Sequence, residues 1–226
     1  MDLTNVLEFE KFVNSEVKKA AAELNGLAEG SRTHLQKLVY TNLVDRFDVM
    51  VDKTILDNSL HPTLLDESLR KLDSPVTESE VLRLLLDGSD IRNVVQSRVK
   101  NILSNGVLRE RHSKKLSKLF SLFEGVGDVW NKPRVNNANG NILTTYTVQN
   151  KKVPASICGY ADWLYSRRNS IVHGGGSNTI LGNDVEQLKK IFKVDVAKTT
   201  RLKLGAITTA STYYLAVVHL IKSNNA

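Results

Sequence analysis

The chain has 226 residues, 41% of them hydrophobic, a formal net charge of +7, one cysteine and five histidines. That length and hydrophobic fraction suit one substantial core and exclude a disordered or fibrous chain. Cys158 alone cannot close an intramolecular disulfide, and the scattered histidines show no zinc-ligand spacing, so no structural metal and no cofactor is expected.

The start, "MDLTNVLEFEKFVNSEV", is acidic and amphipathic and lacks the basic segment and apolar block of a secretory signal, so a cytoplasmic protein is expected. Apolar residues at helical spacing (Val6, Leu7, Phe9, Phe12, Val13, Val17) predict a helix over 6–27, with Gly30 and Ser31 marking its end. A second long helix is predicted from about Thr33 to Leu56, burying Leu35, Leu38, Val39, Leu43, Phe47, Met50 and Val51. Asp45, Asp48 and Asp52 line up on it at helical spacing. They could supply an acidic partner for Arg168 or His173, but a stripe of charge on an amphipathic helix usually faces water, and that reading is preferred.

His61 and Pro62 read as a loop. Thr77 and Glu80 form a predicted capping box ahead of "VLRLLL", since hydroxyl and carboxylate at that spacing satisfy two orphaned backbone N–H groups. "DIRNVVQSRVKNIL" and "HSKKLSKLFSLFEGVGDVW" continue the helical period, with Leu116, Leu119, Phe120 and Phe123 expected in the core. Arg109, Arg111, Lys114 and Lys115 surround His112 in a basic cluster that reads as a contact to an RNA backbone. Residues 131–154 are rich in Asn, contain Asn139-Gly140 and hold β-favouring residues from Ile142 to Val148. A small hairpin or an irregular loop is expected there, with Pro154 in the first turn of the next helix. Near the C-terminus, "LGAITTASTYYLAVVHLIK" interrupts its apolar run with Thr208, Thr209, Ser211, Thr212 and His219. It reads as a core helix that includes Tyr213 and Tyr214, not a membrane span. Cys158 reads as a small core residue.

The charge is unevenly placed. Residues 1–90 hold 10 Lys+Arg against 17 Asp+Glu, and residues 91–226 hold 21 against 7. A basic half of this kind suits a polyanion, because neutralising phosphates releases counterions. Acidic helices packed beside basic ones would show the same asymmetry.

"RRNSIVHGGG", residues 167–176, concentrates the chemistry. The buried stripe of its helix falls at Ile157, Ala161, Leu164, Arg168 and Ile171, so a guanidinium stands in an apolar row and needs acceptors. Asn169 and His173 lie four residues apart, on one side of the helix next to Arg168. Glycines at 174–176 end the helix and leave open backbone beside the imidazole, with Gly174 nearest. The three side chains also admit duller roles: a salt bridge to the acidic half for Arg168, a surface polar group for Asn169, and a dipole-compensating C-terminal histidine for His173.

"RNSIVHG" resembles the motif of the HEPN superfamily: an arginine, a polar residue directly behind it, and a histidine after four to six intervening residues. Arg168, Asn169 and His173 match it. Arg167 also satisfies the spacing to His173 but is not followed by a polar amide. The flavour is closest to the RiboL-PSP-like branch, and the two helices between about Leu103 and Gly176 match the family's placement of the motif. The Asn-rich insertion departs from it.

The resemblance implies one all-α HEPN-like helical bundle over 1–226 that acts on RNA as a homodimeric, metal-independent endoribonuclease leaving 2′,3′-cyclic phosphate ends. Such a protein would be a toxin or antiviral defence effector restrained by an antitoxin or regulatory protein. Arg168, Asn169 and His173 would be catalytic, and Arg167, Arg109, Arg111, Lys114, Lys115 and Gly174 would contact RNA. The alternatives are a non-catalytic HEPN scaffold binding nucleic acid, nucleotide or a partner protein, and a helical regulator in which Arg168 is salt-bridged and inert.

Overall fold

The computed structural model describes the chain except residues 72–76, 89, 125, 132–133, 137, 144–155, 175–179, 193–194, 196–201, 204 and 226, and the side chains of 187, 188 and 190–192. It is helical nearly throughout. In chain order the helices are α1 (Thr4–Phe12), a π-helical turn (Val13–Val17), α2 (Lys18–Leu24), α3 (Glu29–Asp57), α4 (Pro62–Leu69), α5 (Glu78–Leu86), α6 (Ile91–Asn105), α7 (His112–Phe120), α8 (Ile157–His173), α9 (Gly182–Phe192) and α10 (Ala206–Ser223). A 3-10 turn, Val107–Arg109, precedes α7, and a two-stranded hairpin, β1 (Arg134–Val135) and β2 (Ile142–Leu143), lies between α7 and α8.

The 29-residue α3 is the axis of the bundle. Its buried residues Tyr40, Leu43, Val44, Phe47, Met50, Val51 and Ile55 meet α1, α7, α8 and α10, so a single stripe is covered from several sides. Phe47 is fully buried and stacks on Tyr214 at 4.1 Å between ring centroids. Removing a side chain of that size from water is worth about 2–3 kcal/mol. Leu116, Leu119, Phe120 and Phe123 are buried as their spacing predicts, and so are Cys158, Tyr213 and Tyr214.

Several boundaries differ from the sequence reading. Gly30 and Ser31 do not end the first helix; they lie in the first turn of α3, which opens at Glu29, where a carboxylate favours the positive end of the helix dipole. The turn itself falls at 25–28. Leu35 and Leu38 are exposed at 40% and 54%, and Gln36 and Tyr40 take their places in the core. The register is set by Tyr40, whose hydroxyl donates to the Leu164 carbonyl at 3.0 Å. His61 and Pro62 open α4 instead of forming a loop, because proline at the first helical position loses an N–H that had no partner there anyway. α7 stops at Phe120, yet Leu122, Phe123 and Val129 stay buried beyond it.

The capping box of α5 forms as its spacing predicts: Thr77 Oγ1 accepts from the Glu80 N–H, and the Glu80 carboxylate accepts from the Thr77 N–H. The insertion is a hairpin where it is described, with Arg134 opposite Leu143 and Val135 opposite Ile142. Residues 144–148 of the predicted β run, and Pro154, lie outside the described residues. Gly140 turns the hairpin at φ +80° with its Cα hydrogens against the Thr209 carbonyl, a place where a Cβ would collide with α10. Among the described residues, no helix is long and apolar enough to cross a membrane.

Candidate functional site

α8 carries the motif. Ser156 caps its start, accepting from the Gly159 N–H at 3.2 Å. From Ile157 to Leu164 every residue is buried, and the helix emerges only in its last two turns. Internal apolar anchoring therefore holds the end that carries Arg168, Asn169 and His173.

Arg168 departs from the apolar stripe in the way its charge requires. Its side chain is 20% exposed and pairs with Asp45 on α3, Nε lying 2.7 Å from Oδ1 and Nη2 donating to Oδ2 at 3.1 Å. Its Nη1 donates to Asn169 Oδ1 at 3.0 Å, and the guanidinium sits 5.8 Å from the Tyr165 ring centroid. Asp45 thus holds one side of the guanidinium fork and Asn169 one N–H of the other terminal nitrogen. Among the described residues, the remaining N–H groups of the two terminal nitrogens have no other acceptor.

His173 ends the helix, is exposed, and makes no hydrogen bond or ion pair among the described residues. It stands one turn beyond Asn169 on the same side. Gly174 closes the helix, its N–H donating to the Ser170 carbonyl at 3.1 Å, with an ordinary negative φ of −87°. Gly175 and Gly176 lie outside the described residues. The Arg167 guanidinium lies 5.6 Å over the Tyr40 ring, while Arg168 donates to Asn169.

The acidic stripe of α3 is not a solvated face. It is the counter-charge of the site: Asp45 holds Arg168, while Asp48 and Asp52 together hold Lys115 with oxygen–nitrogen distances of 2.9–3.0 Å. The basic cluster is likewise split by its helical period. His112 is 2% exposed and lies between Phe47 and Tyr165, with Nδ1 3.0 Å from Asp48 Oδ1. Burial pulls its pKa down to about 4, against the opposing pull of Asp48. The geometry agrees, because Nε2 is buried without a partner among the described residues, and an unpaired lone pair there costs less than an unpaired N–H of an imidazolium.

Lys115, 5% exposed, is an internal ion-pair partner; its ammonium cannot meet a backbone phosphate while both carboxylates hold it. Asp52 is pushed up to about 6, first by burial and then, against the Lys115 hydrogen bond, by the Asp48 charge.

Arg111 also turns inward, toward Asp162 (3.5 Å) and Asp184 (3.3 Å). Asp162 is fully buried on α8 and accepts from the Ser113 N–H and hydroxyl at 3.0 and 2.8 Å. Burial raises its pKa despite Arg111 and these bonds. Arg109 and Lys114 do face solvent. Arg109 donates to Asn105, and Lys114 lies 5.1 Å over the Trp130 ring and lines an open groove of about 500 Å³ with Lys71, Ser117, Lys118 and Glu67. None of Arg168, Asn169 and His173 lines that groove.

Sequence reasoning offered Asp45 as a partner for Arg168 but preferred a solvated face for the acidic stripe, and it missed the internal roles of His112 and Lys115. A usable signal was present. Asp45, Asp48 and Asp52 each follow a buried residue (Val44, Phe47, Val51), which puts them at the edge of the stripe and not opposite it. Among the described residues, no group of three His, Cys, Asp or Glu side chains could hold a metal ion. Compared with protein-family models, curated proteins and solved structures, the chain finds no match.

Proposed function

We propose that this chain is a metal-independent endoribonuclease whose catalytic groups are Arg168, Asn169 and His173. The carrying observation is that a guanidinium and an amide are fixed against each other at the emerging end of an otherwise buried helix, with an exposed imidazole one turn further on.

His173 passes a proton between the ribose 2′-hydroxyl and the leaving 5′-oxygen, general acid–base help worth about 10²- to 10⁴-fold in rate. The terminal N–H groups of Arg168 stabilise the charge that builds on the phosphorane. Asn169 orients that guanidinium from one side and Asp45 from the other. Attack by the 2′-hydroxyl leaves a 2′,3′-cyclic phosphate and spares DNA. The resemblance supports a homodimer in which two such edges share one cleft, and a role as a toxin or antiviral effector under a protein inhibitor.

The second reading is a scaffold that binds without cutting. The bidentate Asp45 pair favours it, since it cancels the charge of Arg168. RNA cleavage in EDTA by wild type, Arg168→Ala and His173→Ala, with product ends identified by mass spectrometry, separates the two. Cyclic-phosphate ends from wild type alone support the nuclease. A requirement for Mg²⁺ overturns this mechanism, and a silent wild type that still binds RNA selects the scaffold.

A further inference from the structure

The motif edge of α8 extends further back than its three side chains. Tyr165, Asn169 and His173 stand at every fourth position of the helix and so form one row. Arg168 lies beside that row, its guanidinium 5.8 Å from the Tyr165 ring centroid. Tyr165 is half-buried, and a column of stacked rings holds it in place. Tyr214 stacks on Phe47 at 4.1 Å between centroids, Phe47 on His112 at 6.0 Å and His112 on Tyr165 at 4.4 Å, each pair within 27° of parallel. The first three rings are buried, so close packing in the core fixes where the fourth one sits.

The hydroxyl on that fourth ring has no use inside the fold. Tyr40 and Tyr213 donate theirs to carbonyls of α8, those of Leu164 and Ile157. The Tyr165 hydroxyl makes no hydrogen bond among the described residues and, unlike that of Tyr214, is not buried. It is a donor on a ring that packing has already immobilised, so a ligand that met it would spend little in ordering it.

The neighbouring groups say what such a ligand carries. A guanidinium only donates, so Asn169 must turn its carbonyl oxygen to Arg168, and its NH2 is left without an acceptor among the described residues. The Asp45 carboxylate is already engaged with Nε and Nη2 of Arg168. What the edge offers outward is therefore a set of donors: the Asn169 NH2, the remaining terminal N–H groups of Arg168 and the Tyr165 hydroxyl. Donors grouped around an arginine suit an anion with several oxygens, as a phosphodiester has.

We infer that the Tyr165 hydroxyl is a phosphate-binding group of this site, donating to a non-bridging oxygen of the RNA phosphate that Arg168 holds. The inference rests on the reading of α8 as the edge that meets RNA, and adds to it a neutral donor outside the motif.

The test follows binding of a short fluorescein-labelled 2′-fluoro RNA, which lacks the attacking hydroxyl and cannot be cut in this way. Anisotropy titrations over a range of salt use the full chain as wild type, Tyr165→Phe, Arg168→Ala and the double variant, with thermal unfolding of each. Tyr165→Phe is expected to bind about 10-fold more weakly, the loss of one hydrogen bond to a charged group, and to keep the wild-type Tm, because the ring stays in its column. Stacking of a base would survive this substitution. The loss should be the same at every salt concentration, since a neutral hydroxyl releases no counterion, whereas Arg168→Ala should flatten the salt dependence. With Arg168 already removed, Tyr165→Phe should cost under about 3-fold, because groups that share one phosphate are coupled. Tyr165→Phe binding within about 2-fold of wild type, a fall in its Tm, additive losses in the double variant, or a wild type that does not bind overturns the proposal. Cleavage of unmodified RNA is scored apart: a chain that shows this binding pattern and cuts nothing refutes the nuclease reading and leaves the Tyr165 contact standing.

Discussion

Replacing Lys115 by methionine tests whether the α3–α7 contact is an internal ion pair or a surface cation. The ammonium is within 3.0 Å of three carboxylate oxygens, two on Asp48 and one on Asp52, and its side chain is 7% exposed against 24% and 29% for the aspartates. Removing one partner of a fully buried pair costs about 3–5 kcal/mol. Because a quarter of each carboxylate still sees water, about 2–3 kcal/mol is expected here at pH 7.

The pH dependence fixes the sign. The folded-state pKa of Asp52 already lies at about 6, above the 3.8 of a free carboxyl, so the folded chain holds the proton more tightly than the unfolded one. A raised carboxyl contributes stability that is present below the unfolded pKa and is lost as pH rises through the folded one. Without Lys115 the two carboxylates repel each other and push that pKa higher still. The penalty of Lys115→Met therefore shrinks between pH 7 and pH 5, and Lys115→Met/Asp52→Asn recovers more than half of it at pH 7. Urea unfolding followed by circular dichroism measures all three proteins. A loss under about 1 kcal/mol at pH 7, or one identical at both pH values, refutes the internal pair. If Lys115 served RNA instead, the substitution would lower RNA affinity and leave the midpoint alone.

His112 gives a second pH signature. Its pKa falls from 6.5 to about 4 on folding, so the stability that depends on its neutral form is present above pH 6.5 and is lost as pH drops toward 4; at about 1.4 kcal/mol per pH unit this amounts to about 3 kcal/mol. Wild type compared with His112→Phe across pH 7 to 4 should show that difference, and parallel curves would contradict the neutral buried imidazole. Gly140→Ala forces a Cβ into the Thr209 carbonyl at a left-handed φ and should lower stability by about 2 kcal/mol or more, read as a fall in Tm; an unchanged Tm would place the hairpin away from α10. Cys158 is fully buried and its thiol pKa is raised by burial, so it should resist a thiol reagent in the native state and react only on unfolding; rapid native labelling would contradict its place in the core.

Local pattern was enough for the all-helical class, for the capping box at Thr77 and Glu80, for the core positions Leu116, Leu119 and Phe120, and for a helix that ends at His173, because each depends on a helical period or on groups three or four residues apart. It also placed Arg168, Asn169 and His173 along one edge, since that edge is a property of α8 alone. It could not decide which face of α3 turns inward over its first turns, where Leu35 and Leu38 offer a better apolar pair than Gln36 and Tyr40. That choice belongs to Tyr40 and its bond to the Leu164 carbonyl. Nor could it assign partners to charges. Asp45 and Arg168 are 123 residues apart, and Asp48 and Lys115 are 67. A charged side chain at the edge of an apolar stripe faces water or a counter-charge according to which helix lies beside it. Tertiary packing alone put α7 and α8 there, drawing His112, Lys115 and Arg111 inward and leaving Arg109 and Lys114 in solvent.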